Sequence, residues 1–197
     1  MLYFKTKVLH SRIEGRGLFA HETIPCGSIV GNLIHGRRYI SEAGYSEAQR
    51  NGDERVIHTG LRYAGNLFMY SLPRHGKFRT ENEHFINHSE DASLLYHCGT
   101  LFALRTIFPG EEMTANYKYF LAEGDITSFR DAKTGRPVQG LDGYRAMQTS
   151  MLELAVLLSS EGFSKSFENS SNVGDTGAVD WHNAGGNSYS DGSGTRH

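Results

Sequence analysis

Short apolar runs between turn residues fill the first two thirds of the chain. Residues 2–8 and 28–34 combine β-branched and aromatic residues between polar boundaries, the signature of short strands, and Pro25-Cys26-Gly27 introduces the second. The same pattern predicts strands over 55–59, 66–71, 93–97 and 100–107, the last stopped by Phe108-Pro109-Gly110. Ser41 to Arg50, rich in Ala, Glu and Gln, predicts a short helix weakened by Gly44. The clearest helical period lies over 142–160. There Leu141, Tyr144, Met147, Met151, Leu154, Ala155 and Leu158 recur every three or four residues as an apolar stripe, with a stop at Glu161-Gly162. From Ser164 onward Gly, Ser, Asn and Asp dominate and no period survives. Such a composition buries too little apolar surface to offset its ordering entropy, so 163–197 reads as a disordered tail and Trp181 as a stray aromatic within it.

Many short strands, irregular connections and few helices imply a β-rich domain. Across 197 residues, 38% hydrophobic and 11% aromatic content suffices for one core, while a mean hydropathy of −0.46 signals substantial polar additions. A net charge of −2 creates no global positive field toward nucleic acid or anionic lipid, so neither direct nucleic-acid nor membrane binding is expected. Cys26 and Cys98 are far apart in sequence and read as reduced, partly buried thiols. Met1 to Leu9 lacks the apolar run of a signal peptide, and no stretch approaches the ~20 apolar residues of a membrane span. These features predict a soluble, intracellular protein, cytoplasmic, or nuclear in a eukaryote.

Three segments carry chemistry. Gly15-x-Gly17-x-x-Ala20 fits the loose dinucleotide fingerprint, but Pro25 and Gly27 interrupt the chain and a strand follows where that site needs a helix. A glycine turn between strands is the better reading, and its bare backbone admits a ligand's polar end. Phe85-Ile86-Asn87-His88-Ser89 reads alone as an apolar pair followed by a polar turn. His84, His88, His97 and Cys98 lack the second close pair that a zinc site needs, so no metal is expected. Ala103-Leu104-Arg105 through Gly110-Glu111-Glu112-Met113-Thr114-Ala115-Asn116-Tyr117 reads alone as a hairpin. Adjacent strand residues face opposite ways, so Glu111 and Glu112 cannot flank one bond as a hydrolytic pair.

In their order and spacing these three segments, within residues 3–120, resemble the SET-domain lysine methyltransferases of the compact bacterial or viral type. The resemblance implies a mainly β fold of several small sheets with a knot-like crossing, plus a C-terminal helix. It implies a SET domain over 1–120 and a helical extension over 121–162 that closes it. It also implies transfer of a methyl group from S-adenosylmethionine to a lysine of a protein substrate. Arg16, Gly17 and Leu18 match the turn whose backbone holds the cofactor's methionine end, and Asn87 and His88 match the pair that binds its amino group and adenine. Tyr117 matches the catalytic tyrosine beside the transferring methyl. Tyr63, Tyr70, Tyr119 and Phe120 are candidates to line the lysine channel. Two positions depart from the family pattern. Glu90-Asp91-Ala92-Ser93 stands where Cys and Pro-Asn often follow Asn-His-Ser, and Asn116 stands where Asp is common. An alternative keeps the fold but drops catalysis, leaving a peptide-binding module. Retention of Asn87 and Tyr117 favours the enzyme.

Overall fold

The structure, a computed structural model, describes residues 1–73 and 81–159. The expected tail and the stop at Glu161-Gly162 lie outside the described residues. Along the chain run β1 (Thr6–His10), β2 (Arg16–Ala20), β3 (Ile29–Asn32), β4 (Arg37–Ser41), α1 (Glu42–Arg50), α2 (Glu54–Thr59), β5 (Leu61–Ala64) and β6 (Leu67–Ser71). They are followed by β7 (Asn87–His88), β8 (Leu94–His97), β9 (Thr100–Ala103), β10 (Glu112–Ala115), β11 (Ile126–Arg130), β12 (Pro137–Gln139) and α3 (Gly143–Ser159). Single 3-10 turns at Asn82–Phe85 and Tyr117–Tyr119 flank the Asn-His-Ser segment and follow β10.

The central sheet has the order β1-β2-β10-β8-β9-β3, with β7 also paired to β10. Strands β4, β6 and β5 form a second sheet and β11–β12 a separate hairpin, so the mainly β, multi-sheet expectation holds. Leu18, Ile24, Val30, Leu94, Leu95, Leu101, Ile107 and Met113 are fully buried in the main core. Tyr45, Val56, Phe68 and Ala122 form a smaller second core. Hairpin β8–β9 turns through Cys98 and Gly99 at φ 45° and 82°. Both central residues being left-handed makes this the turn that matches strand twist, and Cys98 tolerates it where Asn is the usual choice.

Three expectations are corrected. The first strand begins at Thr6, because Leu2 bridges Gly31 on β3 before the chain turns to pair with β2. Residues 55–59 are helical: the Asp53 side chain caps the Arg55 amide at 3.0 Å, and Val56 and Thr59 bury the same face one turn apart. The segment after residue 120 contains the β11–β12 hairpin as well as a helix.

Helix α3 spans the predicted range but turns a different face inward. Its buried residues are Gly143, Ala146, Ser150 and Leu157, whereas Tyr144 and Met151 of the apolar stripe are exposed. Close approach selects the small residues. A Cβ on Gly143 would sit 2.1 Å from the Gly65 carbonyl oxygen. Ser150 meets His97 Nδ1 of β8 at 2.8 Å.

Candidate active site

The site begins with a tight turn ahead of β2. The Ser11 amide donates to the Gly15 carbonyl at 3.0 Å, and Gly15 takes φ 49°. Ser11 Oγ accepts the Ile13 and Glu14 amides at 2.8 and 3.3 Å. Arg16, Gly17 and Leu18 therefore lie on a strand rather than in the turn, a correction to the sequence reading. Strand β2 is paired on both sides, so Leu18 faces Val8 and Met113, and its side chain belongs to the core. The exposed Arg16 lays its guanidinium 4.6 Å from the Phe85 ring centroid.

Glu112 on β10 reaches across Gly17. A Cβ there would lie 2.2 Å from Glu112 Oε1, so the carboxylate occupies the space that only glycine leaves. Ser11 Oγ donates to both carboxylate oxygens, at 2.8 and 2.9 Å. Asn87 Nδ2 donates to Glu112 Oε1 at 2.8 Å and lies 3.2 Å from the Glu14 and Arg16 carbonyls. The neighbouring Glu111 turns to the other side and pairs with Arg105 at 2.7 Å, which disposes of a carboxylate pair.

Parallel pairing of β7 with β10 sets Asn87 beside Thr114 and His88 beside Ala115, and so brings two sequence-distant motifs into register. Just past β10, the Tyr117 amide donates to His88 Nδ1 at 3.1 Å, and the Tyr117 hydroxyl donates to the Ile86 carbonyl at 2.7 Å. Burial, aided by the negative charge of Glu14, pushes the Tyr117 phenol up to about 12. It is therefore a neutral donor near neutral pH. Burial also holds His88 below its ordinary range, although Asp131, the Ala115 carbonyl and Glu90 oppose the shift.

Of the four channel candidates, Phe120 is the one whose ring meets Tyr117, at 5.5 Å, and it also packs on Tyr96 at 4.5 Å. Tyr63 and Tyr119 line a small cleft between β5, β8 and α3, together with Tyr96. The Tyr119 hydroxyl donates to Glu153 of α3, and Tyr63 packs edge-on against Tyr39 at 5.2 Å. Tyr70 packs against the second core, which Tyr117 does not join.

Sequence reasoning missed three residues. Glu112 was dismissed with the carboxylate pair. Phe129 on β11 lies 5.8 Å from Tyr117 and 5.9 Å from His88, ring to ring. Asp131 lies 3.4 Å from His88 Nε2. The β11 sequence Ile-Thr-Ser-Phe-Arg does not alternate, so nothing local marked Phe129 or Asp131.

A curled β-fold with a glycine strand, an Asn-His strand and a following tyrosine brought onto one central strand defines the class, and the family comparison agrees. The SET domain family matches residues 15–118, more than half of the chain, and the chain belongs to that family. Two of the solved structures that share the likeness are as follows. One is the methyltransferase domain of human histone-lysine N-methyltransferase SETMAR, at 24% identity and TM-score 0.41, covering 59% of this chain and 45% of that one. The other is a humanized mutant of the Chaetomium thermophilum Polycomb Repressive Complex 2 bound to the inhibitor GSK126, at 19% identity and TM-score 0.43, covering 58% of this chain and 15% of that one. The chain thus spans less than half the length of either. No curated protein matches. Among the described residues no helix is long and apolar enough to cross a membrane, and no three His, Cys, Asp or Glu residues group to hold a metal ion.

Proposed function

We propose that the protein is an S-adenosylmethionine-dependent methyltransferase acting on lysine side chains of a protein substrate. The observation that carries this reading is that Asn87 reaches the Glu14 and Arg16 carbonyls, 73 and 71 residues away, and Glu112 beside Gly17, while the next residue, His88, holds the Tyr117 amide. The residues suit the cofactor's amino-acid end. Asn87 donates through Nδ2, and its Oδ1 accepts no hydrogen bond among the described residues, so it can receive an ammonium beside the Glu14 and Arg16 carbonyls. The exposed Arg16 supplies a cation for a carboxylate. When bound, S-adenosylmethionine supplies an electrophilic methyl on a positively charged sulfur.

The chain's own task is alignment. The attacking amine must be neutral, against an ordinary lysine pKa near ~10.4, and an apolar aromatic approach disfavours the ammonium form. Phe120 and Phe129 supply the aromatic surroundings of Tyr117, and Tyr96 backs Phe120. Tyr117, neutral and fixed at both its amide and its hydroxyl, orients the amine and does not remove its proton. Alignment of this kind can supply on the order of 7–11 kcal/mol in the best intramolecular cases.

Two measurements test the proposal. Incubation with labelled S-adenosylmethionine and a cell extract should label protein bands. Titration calorimetry with S-adenosylhomocysteine should show binding that Asn87→Ala abolishes and Tyr117→Phe retains, while Tyr117→Phe loses most turnover. Tight cofactor binding without any labelled band would favour a peptide-binding module instead.

A further inference from the structure

The β11–β12 hairpin lies outside the matched family segment, yet one of its residues reaches the centre of the site. Asp131, which ends β11's approach to the turn, and His88 both have side chains only 2% exposed, and their Oδ2 and Nε2 atoms lie 3.4 Å apart. His88 Nε2 is buried and makes no hydrogen bond among the described residues, so the Asp131 carboxylate is the charge that meets it. The carboxylate is itself held rigidly. Oδ1 accepts the Lys133 and Thr134 amides at 3.0 and 2.8 Å, and Oδ2 accepts the Glu90 amide at 3.1 Å, two residues beyond His88. Desolvation would raise the Asp131 pKa, but these backbone donors outweigh it and hold the carboxyl below its ordinary range. The group is therefore an anion at neutral pH.

On the other face of the imidazole, Nδ1 accepts the Tyr117 amide, which requires a lone pair there and the proton on Nε2. An anion beside Nε2 favours that tautomer. We propose that Asp131 is a positioning residue for Tyr117: through His88 it selects the tautomer that holds the Tyr117 amide, and so sets the tyrosine hydroxyl against the Ile86 carbonyl. The inference rests on the proposed methyl transfer for its kinetic consequence, but its physical content, a fixed imidazole tautomer, stands independently of any activity.

Protonating His88 places a second proton on Nδ1 and breaks the bond to Tyr117. The groups that face this imidazole and favour its cation are Asp131 from the hairpin, the Ala115 carbonyl from β10 and Glu90 from its own segment; burial opposes them. The Tyr117 and Phe129 rings close the remaining sides. Removing the Asp131 charge therefore lowers the His88 pKa while loosening the tautomer.

Nitrogen-15 NMR of the imidazoles, with His88 assigned by its loss in His88→Gln, reads the tautomer in the full chain. Wild type should show the Nε2–H form, and Asp131→Asn, which keeps the side chain's shape, should shift the population toward Nδ1–H. In the transfer assay, Asp131→Asn should cut kcat by roughly 10- to 100-fold with the cofactor KM nearly unchanged, and move the acid limb of the pH profile to lower pH. A hairpin staple alone would alter stability without moving that limb. An Nδ1–H tautomer in wild type, an unchanged tautomer in Asp131→Asn, or an unmoved acid limb would each overturn the proposal. A wild-type protein with the Nε2–H tautomer but no transfer activity would overturn the proposed function and leave the positioning role supported.

Discussion

Gly17 shows how much one missing side chain decides. The residue is buried between two strands, and the space its Cβ would fill holds the Glu112 carboxylate. That carboxylate in turn orients Asn87 and is fixed by Ser11. Gly17→Ala should therefore push Glu112 off both partners and weaken S-adenosylhomocysteine binding by roughly tenfold or more in calorimetry, about 1.4 kcal/mol. Glycine here could be recognised in the sequence as a ligand cradle, but the atom that makes glycine necessary is 95 positions away and was invisible there. Tyr117 was legible as a candidate through its motif, whereas the bonds that fix its amide to His88 and its hydroxyl to the Ile86 carbonyl were not. Asp131 left no trace in the sequence, because an isolated aspartate in a turn is ordinary until its partner imidazole is known.

At the scale of elements, Arg62 on β5 ties four segments together. It is one of the largest fully buried side chains, and its guanidinium donates to the Gly65, Leu121 and Leu141 carbonyls and to Glu42 of α1. Removing it takes a donor from three carbonyls and leaves the Glu42 carboxylate with the Glu123 amide. Arg62→Ala should cost roughly 3–5 kcal/mol of stability, read as a fall in the midpoint of urea unfolding, with the second sheet and the segment after Phe120 loosened together. Helix α3 carries the complementary lesson. Its range was readable from a sustained period, but its inward face was not, since periodicity reports where apolar residues lie and not which neighbours come close enough to exclude them. Gly143, Ala146 and Ser150 approach the sheet because they are small, and the larger Met and Tyr side chains remain outside. Likewise 55–59 looked like a strand because five residues carry too little periodicity to separate the two alternatives, and the Asp53 cap tipped the balance.

For the whole molecule, the buried imidazole of His88 and the partly buried one of His97 link stability to pH. Burial lowers the pKa of His88 and of His97 from the ordinary 6.5. Between those depressed values and 6.5 the unfolded chain binds more protons than the folded one, so stability rises with pH across that window. The contribution is fully present above 6.5 and is lost as pH falls below it toward the folded values. Thermal melts should show Tm falling as pH is lowered through that range, and His88→Gln should flatten part of the slope.

The sequence by itself determined the β-rich class, the presence of the C-terminal helix and the three segments that identify the SET domain family, because each depends on local periodicity, turn chemistry or short-range spacing. Only the tertiary structure decided that Gly17 is a strand residue beneath Glu112, that Tyr70 belongs to a second core, and that a hairpin beyond the family segment delivers Asp131 to His88. These are contacts between residues far apart in the chain, set by how sheets pair and which side chains are small enough to let them close. No local pattern encodes that kind of proximity.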